Sequence, residues 1–150
     1  MKVSIMKKIY KILFTFFLVM GISSNAISSE DFFKKGLELF KDKKLDDAKF
    51  MFERSIVFNP KDSNSYLYLA KIYNHQEDQD KEEKNLDATL LIEPNNEEAI
   101  LMLMKIGLKR SNYSKVKNLS ETFKEVCKNL CDENKKILEA LDNIEPKNES

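Results

Sequence analysis

Glycine and proline are scarce, three of each in 150 residues, tryptophan is absent, histidine occurs once and cysteine twice. So little turn punctuation argues against a strand-and-turn architecture and for long helices, which the abundance of Lys, Glu, Leu, Ile and Asn also favours. A single His75, no Gly-rich phosphate loop and no Ser or Cys nucleophile in a recognisable setting leave an enzyme little to work with, and neither a cofactor nor a metal is expected. Net charge is also lacking, since 25 basic residues balance 25 acidic ones. Four of the Lys (Lys2, Lys7, Lys8 and Lys11) fall in the first 28 residues, leaving 21 basic against 25 acidic residues in a mildly acidic remainder. With only Arg54 and Arg110 available for bidentate phosphate contacts, nucleic-acid binding is not expected. What is present, 42% hydrophobic and 33% charged residues, suits one ordinary globular domain with a modest core.

Residues 1–28 read as an address. Lys7, Lys8 and Lys11 precede the apolar run Ile12 to Ile22, and Ser24-Asn25-Ala26 follows it, the order of a secretory signal peptide with cleavage after Ala26 or Ser28. The run is about half of what spans a bilayer core. An uncleaved anchor from Ile5 to Ile22 is the alternative, and membrane attachment is expected only in that case. Lipid attachment lacks its Cys, because none precedes Cys127. Met6, followed by two Lys, is a second candidate initiator.

Beyond residue 28 the chain carries an internal period. Asn59-Pro60 and Glu93-Pro94 lie 34 residues apart, each closing an apolar helical segment and each followed by a polar turn. In the first unit Phe32, Gly36, Leu39, Ala48, Phe52, Ser55 and Pro60 supply aromatic, small, large apolar, small, aromatic, small and proline in that order. In this the sequence resembles the tetratricopeptide repeat family, whose unit is two antiparallel helices. In the second unit Tyr66, Leu69, Ala70, Tyr73, Leu86 and Pro94 agree, Thr89 is a tolerable substitute, and Glu82 replaces a small residue. A third unit has Ile100, Leu103, Met104 and Tyr113 in its favour, while Gly107, Val116, Ser120 and Lys128 depart from the pattern. The resemblance runs over about 29–128; its rival is a plain helical bundle with accidental Pro spacing.

The expected fold is therefore all-α: a short right-handed superhelical array of antiparallel helix pairs over 29–145. Its units fall at about 29–62, 63–96 and 97–130, and a C-terminal capping helix at 132–145, carrying Ile137, Leu138, Leu141 and Ile144, covers the open end. Residues 146–150 form a polar tail.

The resemblance implies a concave groove lined by the first helices of the units. With helical spacing it assigns Phe33, Leu37, Phe40, Lys41, Asn64, Leu67, Lys71, Asn74, Leu101, Lys105 and Leu108 to that groove. Phe33, Leu37, Leu67 and Leu101 would form an apolar floor with Lys71 and Lys105 above it, suited to an amphipathic or extended protein segment carrying acidic residues. These side chains could equally pack on one another or on the terminal helix. Members of the family that clamp a terminal carboxylate use Lys and Asn early in the first helix; Phe33 and Leu37 stand there, so that clamp is not expected. The function implied is an exported, periplasmic protein-binding scaffold. A membrane-anchored structural subunit is the alternative, and dimerisation through an open end is one way to stabilise so short an array.

Asp78, Asp80, Glu82 and Glu83 lack calcium-loop spacing and read as a solvated turn and helix start. Cys127 and Cys131, four residues apart, leave open a disulfide, two free thiols, or a redox or metal role. A disulfide would place the end of the helix near Leu130, because the bridge is strained in a continuous helix.

Overall fold

A computed structural model describes residues 28–144, which form seven α-helices and no strand. They are α1 (Ser29–Lys41), α2 (Leu45–Phe58), α3 (Ser63–His75), α4 (Gln79–Ile92), α5 (Glu97–Lys109), α6 (Tyr113–Val126) and α7 (Cys131–Ile144). The signal-segment assignment and the polar tail lie outside the described residues.

Side-chain caps set most of the helix starts. Ser28 Oγ accepts from Asp31 N–H at 3.3 Å while the Asp31 carboxylate accepts from Ser28 N–H at 2.9 Å, a reciprocal capping box. Asp62, Asp78, Asn96 and Asn112 each accept from the backbone N–H three residues on, while α2, behind Lys44, and α7, behind the apolar Leu130, begin without such a bond. The caps obey the period: Ser28, Asp62 and Asn96 are 34 residues apart, as are Lys44, Asp78 and Asn112. Within each pair the chain reverses through one left-handed residue, Lys43 (φ 60°), Glu77 (φ 58°) or Ser111 (φ 54°), again 34 apart.

Helices pair as α1–α2, α3–α4 and α5–α6, with successive pairs stacked. The helix beyond Lys128 starts at Cys131, 34 residues after α5 begins, so α7 is in register with the first helices of the three pairs. It lies on α5 and α6. Three apolar clusters run along the stack: Ala48, Phe52, Leu69 and Ile72; then Leu67, Ala70, Leu86, Ala99, Leu103 and Ile106; then Ile100, Leu101, Met104, Val116, Phe123, Ile137 and Leu141. Each large apolar side chain so buried contributes about 1.5–3 kcal/mol against exposure.

Close approach explains which residues must be small. A Cβ on Gly36 would lie 2.6 Å from the Phe52 ring, so α1 crosses α2 at van der Waals distance there. The third pair achieves its approach one turn later, where a Cβ on Gly107 would lie 2.8 Å from Val116 Cγ2. Gly107 and Val116, two departures from the pattern, are thus partners in one crossing. Ser120 stands in the register of Phe52 and Phe123 in that of Ser55, and all four are buried. Exchanging the large and the small position between neighbouring places keeps the volume of the third core. The Ser120 hydroxyl donates to Asn134 Oδ1 at 2.8 Å, tying α6 to α7.

Candidate concave binding site

The first helices α1, α3 and α5, with the inner side of α4, border a concave depression of about 570 Å³. It brings together Phe40, Lys71, Asn74, Lys105 and Leu108 from the residues assigned to a groove, and adds His75, Glu82, Glu98, Met102, Ile106 and Lys109. Lys41 faces an adjoining depression of about 470 Å³ that shares Phe40 and His75.

Charge in the concavity is partly organised. Lys71 Nζ is 2.8 Å from Glu98 Oε2 and 4.3 Å from the centre of the Tyr68 ring, which tethers α3 to α5 and holds the ammonium over an aromatic face. Asn74 Nδ2 donates to Glu82 Oε1 at 3.0 Å, and Glu82, only 2% exposed, reaches the concavity from α4. Lys105 and Lys109 lie exposed. Phe40 meets the Tyr68 ring edge-on at 5.3 Å and lies 6.1 Å from His75, so it is half packed and half presented.

The apolar floor expected from Phe33, Leu37, Leu67 and Leu101 does not form a free surface. Leu67 is 5% and Leu101 4% exposed. Successive first helices stack so closely that this row lies between them: Leu67 packs with Ala99 and Leu103 of α5, and Leu101 is sealed in the cluster that Ile137 and Leu141 of α7 complete. Phe33 packs on Phe52 and Tyr68 at 5.7 and 5.8 Å, and Leu37 packs on the same cluster. The side chain presented in α5 is one residue further along, Met102, because a helical side chain leans back toward the N-terminus and the visible face is offset from the Cα spacing, whereas Tyr68 at the same register in α3 packs on Phe33, Phe40 and Phe52. Met102 was legible as the register mate of Tyr68, 34 residues on, and the row Lys41, His75 and Lys109 shows the same spacing.

Asn64 lies elsewhere, with one edge of Leu67, in a second depression of about 420 Å³ beside the inter-unit turns. There the Glu97 carboxylate accepts from Lys128 N–H at 2.9 Å, Asn129 N–H at 3.1 Å and Leu130 N–H at 2.8 Å. Burial pushes the Glu97 pKa up, but the three N–H donors together outweigh it and hold the carboxyl below the ordinary glutamate range. The same loop carries the bond between Cys127 and Cys131, with Cα atoms 5.4 Å apart. The helix has already ended at Val126, earlier than the Leu130 boundary expected, so the bridge joins the cap of α6 to the first residue of α7. Lys128 occupies the register of Pro60 and Pro94 in this loop.

The acidic cluster is dispersed by its partners. Asp78 caps α4, Asp80 and Glu83 each pair with Arg110 at 2.6 Å, and Glu83 also binds Lys115. Among the described residues no three His, Cys, Asp or Glu side chains are grouped to hold a metal ion, and no helix is long and apolar enough to cross a membrane.

With this geometry in hand, comparison with known proteins identifies the repeat. Residues 51–84 match the model of the tetratricopeptide repeat. Among solved structures, the Yersinia enterocolitica type III secretion chaperone SycD in complex with a peptide of the translocator YopD superposes with a TM-score of 0.67 at 14% identity, over 77% of this chain and 90% of that one. The first tetratricopeptide domain of Spaghetti (RPAP3), bound to an HSP90 peptide, gives 0.66 at 18% identity over 77% and 96%. The Sgt2 tetratricopeptide domain from Aspergillus fumigatus gives 0.61 at 17% over 81% and 87%. No curated protein matches the sequence significantly. Residues 51–84 thus match one tetratricopeptide repeat, and the described chain shares the all-helical fold of these structures.

Proposed function

Proceeding from a tetratricopeptide array with an open concave side, we propose that this chain is an exported scaffold that binds a segment of a partner protein in that concavity. The observation that carries the proposal is the depression of about 570 Å³ between α1, α3 and α5, where apolar Phe40, Met102 and Leu108 lie beside Lys71, Lys105 and Lys109. An amphipathic helix or extended segment with acidic residues complements that lining. The two similar structures whose bound peptides are a YopD segment and an HSP90 segment support a protein ligand for this fold. Export rests on the order of Lys7, Lys8 and Lys11, the run Ile12 to Ile22 and Ser24-Asn25-Ala26; a periplasmic location follows from it.

The test is affinity purification of the tagged protein from mildly cross-linked cells, with N-terminal sequencing of the recovered chain. A dominant partner protein, lost on Met102→Arg or on Lys105→Glu with Lys109→Glu while helix content is unchanged, is the expected result. A partner retained by both variants would overturn the concave site. A mature N-terminus near Ile27 or Ser29 is expected; a chain retaining residues 5–22 would favour a membrane-anchored structural subunit.

A further inference from the structure

Glu82 occupies a position that is Ala48 one repeat earlier and Val116 one repeat later, and all three are buried in the crossing of their helix pair. Packing there requires only a small or medium apolar group. A carboxyl in that place is costly unless its oxygens are satisfied. Among the described residues its one hydrogen-bond partner is the neutral Asn74 amide, 3.0 Å from Oε1, while Oε2 has none and the side chain contributes to the wall of the concavity. Lys71, the lysine that faces the same space from α3, is taken up by Glu98 at 2.8 Å. With Asn74 Nδ2 committed to Glu82, Asn74 Oδ1 also has no partner among the described residues, so this hydrogen-bonded pair brings two acceptor oxygens to a concavity that Phe40 and Met102 also line.

Resting on the concave-site reading, we propose that Glu82, with Asn74, receives the cationic head of a Lys or Arg side chain from the bound partner segment. The aliphatic stem of that side chain would lie against Phe40 and Met102. The partner segment therefore combines one inserted basic residue with acidic residues placed to meet Lys105 and Lys109 at the rim. The arrangement makes unit two the specificity-determining unit, because units one and three have no acceptor at the equivalent depth.

The test is selection of peptides from a displayed random library on the purified full chain. Affinities are then measured for a selected peptide and its Lys/Arg→Gln counterpart, each on the native chain, Glu82→Gln and Met102→Arg. Selected peptides are expected to share one Lys or Arg whose replacement weakens binding by about tenfold or more, the range of a charge-assisted hydrogen bond. On Glu82→Gln that loss should shrink to less than about twofold, the non-additivity expected of a direct pair. Glu82→Ala, which copies the first unit, serves if the Gln variant folds poorly. Peptides excluded by Met102→Arg but lacking a shared basic residue, or indifferent to Glu82→Gln, overturn the role of Glu82 and leave the concave site standing. Peptides unaffected by Met102→Arg, or no binding peptide at all, overturn both.

Discussion

Gly36 shows how much one hydrogen can decide. Alanine is the better helix former by about 1 kcal/mol, yet a Cβ at 36 would press on the buried Phe52 ring at 2.6 Å. Gly36→Ala is therefore expected to destabilise by about 1–3 kcal/mol, as overpacking does, read as a lowered urea midpoint. The opposite sign is expected at Glu77, whose φ of 58° strains any residue that carries a Cβ but not glycine: Glu77→Gly should raise stability by up to about 1 kcal/mol, and a drop would show that its side chain contributes more than the strain costs. Leu67→Ala and Leu101→Ala, at sites assigned to a groove but found in the core, should each cost about 2–5 kcal/mol in unfolding experiments. At this scale the pattern in the sequence was informative wherever size alone mattered, as at Gly36, Ala48 and Ser55. It misled where a residue and its neighbour exchanged sizes, as Ser120 and Phe123 do, because a family pattern scores positions singly while a core is filled by their sum.

The joint between α6 and α7 is where element boundaries were hardest to read. Neither proline nor glycine marks it; three N–H groups gathered on Glu97 and the Cys127–Cys131 bond hold it instead. The Glu97 pKa is depressed in the folded chain, so its contribution to stability is present above the unfolded glutamate value of about 4.3 and is lost as pH falls through the folded one. The stability difference between the native chain and Glu97→Gln should thus be full at pH 6 and shrink below about pH 4, measured as urea midpoints across that range. A difference independent of pH would assign the effect to shape and not to charge. Replacing both cysteines with Ser should lower stability by about 2 kcal/mol on the loop-closure model for so short a loop, with hydrogen exchange rising first in α7.

Over the whole molecule, the array is closed at one end by α7 and held along its length by contacts between neighbouring pairs. A chain ending at Leu130 would uncover Leu101, Met104, Val116 and Phe123, so a lower urea midpoint and concentration-dependent association in sedimentation are expected. An unchanged monomer would show that α7 contributes little. Phe50, Val57, Phe58 and Leu91 stay exposed on the second helices α2 and α4, on the outer side of the stack.

Periodicity, helix pairing and the terminal helix were written in the sequence because they depend on local chemistry: Asp and Asn caps, prolines after Asn59 and Glu93, and small residues at crossings act within one or two turns. Which side of α3 and α5 faces the concavity was not. That depends on how tightly one helix pair stacks on the next, a relation between residues some 34 apart in the chain. Stacking buried Leu67 and Leu101, turned Met102 outward to the concavity, and brought the Glu82 carboxyl from α4 to its edge.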